Sequence, residues 1–292
     1  MKRKKRNPKN IDIGYYIVGF MDLLGQQDRL RSLSGLPDKS DEAQMEKFRE
    51  ALKGTYGVVT GMRSVFEDYF KIFSNTKTNL DMLTPEQRTT YKSLNNNPIE
   101  IKPFSDSIVI FSPLRTDIAK CPTRGIYSIF TAAAATLLYS LAQGNPIRGG
   151  IDIGLGMEIK KGEIYGPSLS RAYTLESKIA GYPRIVVGKE LITYLRTTAS
   201  QTQGDIYSKI NAIIASSCLK LLTEDDDGCA IVDFLGEYYF KAIDITKQRE
   251  SIEKAFQNVI KFSEKYIKEK NTKLAFRYTI LRSYMEDRLS KL

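Results

Sequence analysis

Two aspartates stand where a charge is costly. Asp22 lies near the end of the apolar run YYIVGFMDLL (15-24), and Asp106 lies in IEIKPFSDSIVIFS (99-112), which otherwise alternates like a half-buried strand. A carboxylate there is unfavourable unless something positive meets it. Two of them side by side repel and raise a pKa. A divalent cation removes that conflict, and two cations about 3.5–4 Å apart can clamp a phosphoryl transfer. Ser105 and Ser107 flank Asp106 with small side chains that leave room for metal and phosphate. The LLGQQ turn after Asp22 can aim backbone N–H groups at phosphate, and Gly25 allows close approach. Each aspartate also has a plain structural reading: Asp22 as a helix cap, Asp106 as a hairpin-turn residue.

The chain contains no histidine. That removes Ser-His-Asp and Cys-His nucleophile pairs, HExxH zinc sites and imidazole acid–base chemistry. An enzyme built from this chain works with carboxylates, lysine, arginine, hydroxyls, backbone and metal, and hard Mg²⁺ or Mn²⁺ ions are the natural companions of carboxylates.

The elements that must position these groups can be read along the 292 residues. Residues 15-24 predict a buried strand. Residues 41-73 carry Met45, Phe48, Leu52, Tyr56 and Val59 at helical spacing, with glycines that bend or split the helix. Residues 74-98 are a polar loop or a short inserted helix. Two strands follow over 99-111, with a turn or bulge near Pro103–Ser107. Residues 123-143 predict a buried helix ended by Gly144. Residues 145-166 read as a glycine-rich hairpin, Pro167 opens the helix SLSRAYTLESKIA, and GYPRIVVG is a further strand. A helix over 205-222, a DDDG turn (225-228), a strand at CAIVDFL and two outwardly basic helices (246-269 and 272-290) complete the chain. Hairpins separated by helices imply an α+β fold of ferredoxin-like type: a mostly antiparallel sheet with helices packed on one side. In such a sheet the first strand is central and borders the 99-111 hairpin, which brings Asp22 and Asp106 together.

The organisation expected is a basic arm over 1-10, MKRKKRNPKN, and a single domain over 11-292. Its core spans 15-190, with an additional strand and C-terminal helices over 191-292. No apolar run of the ~18 residues needed to span a membrane stands out, and no apolar segment of signal-peptide type follows the basic start. Cys121, Cys218 and Cys229 are odd in number and widely spaced, with no disulfide or zinc pattern; a reducing cytoplasm fits them best. The formal charge of +10 suits an anionic partner such as a nucleoside triphosphate. It suits nucleic acid too, but no RNP aromatic pattern, zinc knuckle or helix-turn-helix signature supports that reading.

Four segments resemble, in order, the motifs of the class III nucleotide cyclases: FMDLLG, FSDSIVIF, PIRGGIDIGLG and EIYGPSLSRAYTLESKIAGYPRIVV. The likeness spans roughly residues 15-190. Within that superfamily the chain looks most like the bacterial uridylate and cytidylate cyclases of Pycsar antiphage defence, on FMDLLG, FSDSIVI, RGGIDIG, YGPSLSRAYTLES and YPRIVV read together. The resemblance implies cyclic UMP or cyclic CMP made from UTP or CTP with release of pyrophosphate. The messenger would activate a separate effector. It also implies two Mg²⁺ or Mn²⁺ ions per site, and a head-to-tail homodimer whose sites combine the metals of one subunit with the 163-174 segment of the other. Asp22 and Asp106 match the metal-binding aspartates, and Leu23 matches the position whose carbonyl also ligates metal.

Other matches depart from the family pattern. Glu100 takes the position of a purine-reading lysine, and Glu163 falls on its partner position. Ser170 replaces the asparagine that orients ribose, and Thr174 replaces the arginine that steadies the α-phosphate. Arg171 lies about 60° round the helix from Thr174 and can reach phosphate with paired donors; a surface or interface salt bridge is its plain alternative. Arg148 is a second basic candidate, and Tyr165 and Tyr173 can line a base pocket. The alternatives carried forward are an ATP or GTP cyclase, for which Glu100 is awkward, and a degenerate cyclase fold that binds nucleotide without turnover.

Overall fold

The computed structural model describes residues 12-25, 35-75, 83-93, 98-114, 117, 119-160, 162-243 and 245-291. The expected basic arm and the glutamines of LLGQQ lie outside them. Strand β1 (Asp12–Leu23) leads to helix α1 (Glu42–Leu52), which passes through a π-helical turn, Lys53–Gly57, into α2 (Val58–Asn75). The glycines of the 41-73 segment therefore mark a change of helical pitch, not a break. A short helix, α3 (Pro85–Ser93), precedes the hairpin β2 (Glu100–Phe104) and β3 (Ser107–Pro113). Next come α4 (Pro122–Ala142), β4 (Ile147–Lys160), β5 (Glu163–Tyr165) and α5 (Pro167–Thr174), whose last turn is again π-helical (Leu175–Ile179). Strand β6 (Ile185–Val187), helices α6 (Lys189–Ser200) and α7 (Ile206–Lys220), strands β7 (Leu222–Glu224) and β8 (Ala230–Val232), and helices α8 (Glu237–Ala242), α9 (Ile245–Lys268) and α10 (Thr272–Leu289) complete the order.

The fold is α+β with a mixed eight-stranded sheet in the order β2-β3-β1-β4-β6-β8-β7, and β5 hangs on β4. The β2-β3-β1-β4 portion is antiparallel throughout, whereas β4 and β6 run parallel. Pro103 sits in the edge strand β2, where a missing N–H costs no ladder bond inside the sheet.

Alternation along β1 divides its side chains between two layers. Ile17, Met21 and Leu23 enter the main core with α2, α4, α7, α9 and α10, while Tyr16, Val18 and Phe20 face α5. Helices therefore cover both faces of the sheet, which corrects the one-sided packing expected from element order. Gly150 is the reason α5 can approach: a Cβ there would lie 2.4 Å from the Ala172 carbonyl oxygen and 2.7 Å from the Glu176 nitrogen. Helix α4 is apolar and long enough to cross a membrane by length and composition, contrary to the expectation of no such run. Here 89% of its most apolar window is buried between the sheet and other helices. The main core runs from Ile17 to Met285, so the C-terminal helices share it with the first strand. Helices α6 and α8 and strand β7 have no counterpart in the elements read from sequence.

Candidate active site

Three side chains line up across the sheet where β1 ends. In register, Asp22 faces Ser107 on β3 and Arg148 on β4. Asp106 is not in a strand. It occupies the two-residue turn between β2 and β3, and Ser105 before it takes a left-handed φ of 50°. The backbone N–H of Leu23 donates to the Asp106 carbonyl (3.4 Å), which ties this turn to the end of β1. Ser107 does more than leave space: its hydroxyl donates to Asp22 Oδ1 at 2.6 Å.

Glu176, in the π-helical turn after α5, is 2% exposed and accepts from Arg148 Nε at 2.5 Å. Burial pushes the Asp22 carboxyl above its usual range. The Ser107 hydroxyl opposes this, the nearby Asp106 charge adds to it, and Arg148 pulls back down. Burial likewise raises Glu176, with Arg148 opposing and both aspartates adding. Three carboxylates and one arginine thus share one field. A cation beside Asp22 and Asp106 would relieve it, so the donor set suits a hard divalent ion.

Arg63 of α2 holds the turn from the other side. It donates to the carbonyls of Ser105 (2.5 Å) and Ser107 (3.4 Å). Neither Arg63 nor Glu176 was found by reading the sequence. Nothing in a helix of mixed charge singles out Arg63. Glu176 carried a usable signal, as a carboxylate in the same motif segment two residues past Thr174.

The remaining candidates lie elsewhere on the chain. Gly25 is exposed just past the strand, with φ 80° and open space about its Cα. Arg171 donates to the Ile153 carbonyl at 3.1 Å. Ile153 pairs with Ile17, five strand positions from Asp22, or roughly 17 Å. Ser170 and Thr174 are exposed, and the Thr174 hydroxyl donates to the Ser170 carbonyl (2.8 Å). Glu100 pairs with Lys102 (3.1 Å), and Lys102 lies against Gly162, next to the exposed Glu163. Glu100 and Glu163 therefore share one corner. Glu100 sits across from Phe111, which pairs with Val18, four positions from Asp22 or roughly 13 Å along the strand. An apolar cleft of about 940 Å³ runs between these regions, lined by Phe20, Phe104, Val109, Tyr165, Ser170 and Tyr173, with Tyr173 edge-on to Phe20 at 5.4 Å.

Two other polar clusters are structural. Asp152, 4% exposed on β4, accepts from the Leu191 N–H at 3.0 Å and so caps α6, whose own N-cap residue, Gly188, has no side chain to do so. In the DDDG turn, Asp225 and Asp227 clasp the buried Arg184, and Tyr182 bonds Asp225. No family model, curated protein or solved structure matches this chain.

Proposed function

We propose that this chain is a class III-type nucleotide cyclase that forms a 3′,5′-cyclic pyrimidine nucleotide from UTP or CTP, as the messenger synthase of an antiphage system. The observation that carries the reading is the juxtaposition of Asp22, near the end of β1, with Asp106, in the neighbouring β2–β3 turn, both partly buried, like in charge and flanked by an arginine. The β2-β3-β1-β4 order, antiparallel with a helix after β1 and another after β3, supports a ferredoxin-like core of cyclase type.

Asp22, Asp106 and the Leu23 carbonyl would hold Mg²⁺ or Mn²⁺. When bound, the two ions supply activation of the 3′-hydroxyl and charge neutralisation on the leaving pyrophosphate. The chain's own groups prepare that site. Ser107 fixes the orientation of the Asp22 carboxylate, and Arg63 fixes the turn that carries Asp106. Glu176 holds Arg148 toward the carboxylates, where its guanidinium can meet phosphate oxygens. In the reaction the 3′-oxygen bonds to the α-phosphorus, the bond from that phosphorus to the bridging oxygen breaks, the hydroxyl proton is lost and pyrophosphate departs.

Arg171, Ser170, Glu100 and Glu163 lie too far along the sheet to serve the same chain's Asp22. A head-to-tail homodimer would bring them to the partner's carboxylates. The exposed rings of Phe104, Tyr165 and Tyr173 give this face the apolar area such an interface needs. The cytoplasm is the compartment proposed, where three thiols that form no disulfide among the described residues stay reduced.

Two observations favour alternatives. Lys102 beside Glu100 keeps a cation at the base-reading corner, as a purine cyclase would need. The Arg171 and Thr174 side chains are engaged with the chain's own carbonyls, as a degenerate nucleotide-binding site would allow. One experiment separates the three. The pure protein is incubated with UTP, CTP, ATP or GTP and Mn²⁺, and products are resolved by mass. Cyclic UMP or CMP from wild type and none from Asp106→Ala is the expected result. Cyclic AMP or GMP would favour the purine reading, and no cyclic product from any of the four would leave only nucleotide binding.

A further inference from the structure

The far edge of the sheet carries a cavity that the carboxylate end does not use. Strand β7 stands four places from β1 in the sheet order, roughly 19 Å across the strands. Beside it opens a cavity of about 580 Å³, a size that suits a small molecule. Hydrogen bonds that join β7, the end of β8 and α10 fix its wall. The Tyr284 hydroxyl (2.6 Å) and Arg288 Nε (2.9 Å) both donate to the buried Asp233, and Arg288 Nη2 donates to the Thr223 hydroxyl (3.0 Å). Leu222, Leu235 and Phe240 supply apolar lining.

Four cations line the same cavity, Lys220, Lys241, Arg288 and Lys291, against two carboxylates, Asp233 and Glu237. Three of the cations are matched: Lys241 pairs with Glu237 (2.6 Å), Lys291 with Asp287 (2.7 Å) and Arg288 with Asp233 (2.9 Å). Lys220, at the end of α7, has no carboxylate partner among the described residues. Its ammonium rests instead 5.2 Å from the ring centroid of Tyr238, and the Lys241 ammonium lies 5.1 Å from the same centroid. Tyr238 is 41% exposed. A cation–ring contact at so open a position is weak, and a hydrogen bond from an ammonium to an anion is stronger. An incoming acid group therefore draws the ammoniums off Tyr238 and frees the ring face for stacking. The unmatched charge is single, so the acid it suits is a monoanion.

We propose that this cavity is a binding site for a small aromatic monoanion, with its acid group on Lys220 and Lys241 and its ring on Tyr238. The site stands apart from Asp22 and Asp106 and does not rest on the cyclase reading.

The test is calorimetric titration of the full chain with chelator present. Two probes join a ring to a single negative charge: 3′,5′-cyclic UMP through a phosphodiester, and 4-hydroxybenzoate through a carboxylate. Uridine and inorganic phosphate supply the ring and an anion alone. At least one ring anion is expected to bind more tightly than uridine or phosphate, and the one that binds names the acid group. Lys220→Gln and Tyr238→Ala are expected to weaken it about tenfold. Lys220→Arg and Tyr238→Phe, which keep the charge and the ring, are expected to lose much less. Lys254→Gln, an exposed lysine on α9 paired with Glu250, is expected to lose nothing. Thermal melting checks that each variant is folded. Neither ring anion binding, uridine or phosphate binding as tightly, or full affinity in a folded Lys220→Gln or Tyr238→Ala overturns the site. Binding of cyclic UMP that is lost in Asp106→Ala but kept in Lys220→Gln overturns it too. Cyclisation assays run in parallel separate the two ideas. Turnover without ring-anion binding overturns this site alone, whereas Lys220-dependent binding with no cyclic product from any triphosphate supports this site and sinks the cyclase reading.

Discussion

Asp22 is stabilised as an anion by Ser107 and Arg148 and destabilised by burial and by Asp106, and that balance makes the proposed metal binding testable without turnover. Its folded pKa lies above the unfolded value, so the folded protein favours the protonated form. The resulting penalty is absent below the unfolded pKa of about 3.9 and grows as pH rises through the folded value. Without metal, Asp22→Asn is therefore expected to melt at a higher temperature than wild type at pH 7, with the gap closing below about pH 4. Adding Mn²⁺ is expected to raise the wild-type Tm, by an amount equivalent to about 2.7 kcal/mol at a hundredfold excess over Kd, and to leave Asp22→Asn unmoved. Scanning calorimetry with and without chelator checks both. Arg63 acts one step away, through the turn. Arg63→Ala is expected to cost about 1–3 kcal/mol of stability and to raise the Mn²⁺ concentration needed for half-maximal turnover. A loss of stability with an unchanged metal requirement would reduce Arg63 to a scaffold residue.

At the scale of elements, the RGGIDIG strand matters for what its second glycine omits. Gly150 lets the turn after α5 rest on β4, and this contact brings Glu176 to Arg148. Gly150→Ala is expected to push that turn away, to cost about 1–3 kcal/mol or more through overpacking, and to weaken any ligand held by Arg148; denaturant melts paired with tripolyphosphate titration measure the two effects. The DDDG turn belongs to stability. Arg184 holds the Asp227 carboxyl down at about 2. The contribution of Asp227 is then fully present above about pH 4 and is lost as pH falls through about 2. Urea melts of wild type and Asp227→Asn between pH 5 and 2 are expected to differ most at the upper end and to converge at the lower. A constant difference would remove the ion pair from the account.

Across the whole molecule, the residues read as one site divide into two groups. Asp22, Asp106, Arg148 and Glu176 meet within one chain, while Arg171 and Glu100 stand roughly 13–17 Å away along the strands, with Glu163 at the same corner as Glu100. If two chains join the halves, Asp106→Ala and Arg171→Ala should each be inactive alone and regain about a quarter of wild-type activity when mixed in equal amounts, because half the dimers are mixed and each has one intact site. Activity measured across mixing ratios checks this; no recovery, with dimers seen by light scattering, would argue against sites shared between chains.

The strands, the long helices and the two aspartates were legible because their signals are local. The apolar run 15-24 placed β1, alternation placed β3, the spacing of Met45, Phe48, Leu52, Tyr56 and Val59 placed the helix over 41-73, and its glycines marked the π-helical turn. An unneutralised charge beside an apolar run is likewise a feature of neighbouring residues. Only the folded chain decided that α5 lies on the second face of the sheet, that Arg63 holds the Asp106 turn, that Asp152 caps α6, and that Glu176 reaches Arg148. Each of those depends on residues from 28 positions apart to well over a hundred. Their partners are chosen by which elements pack together, and a single sequence carries no local periodicity for that choice.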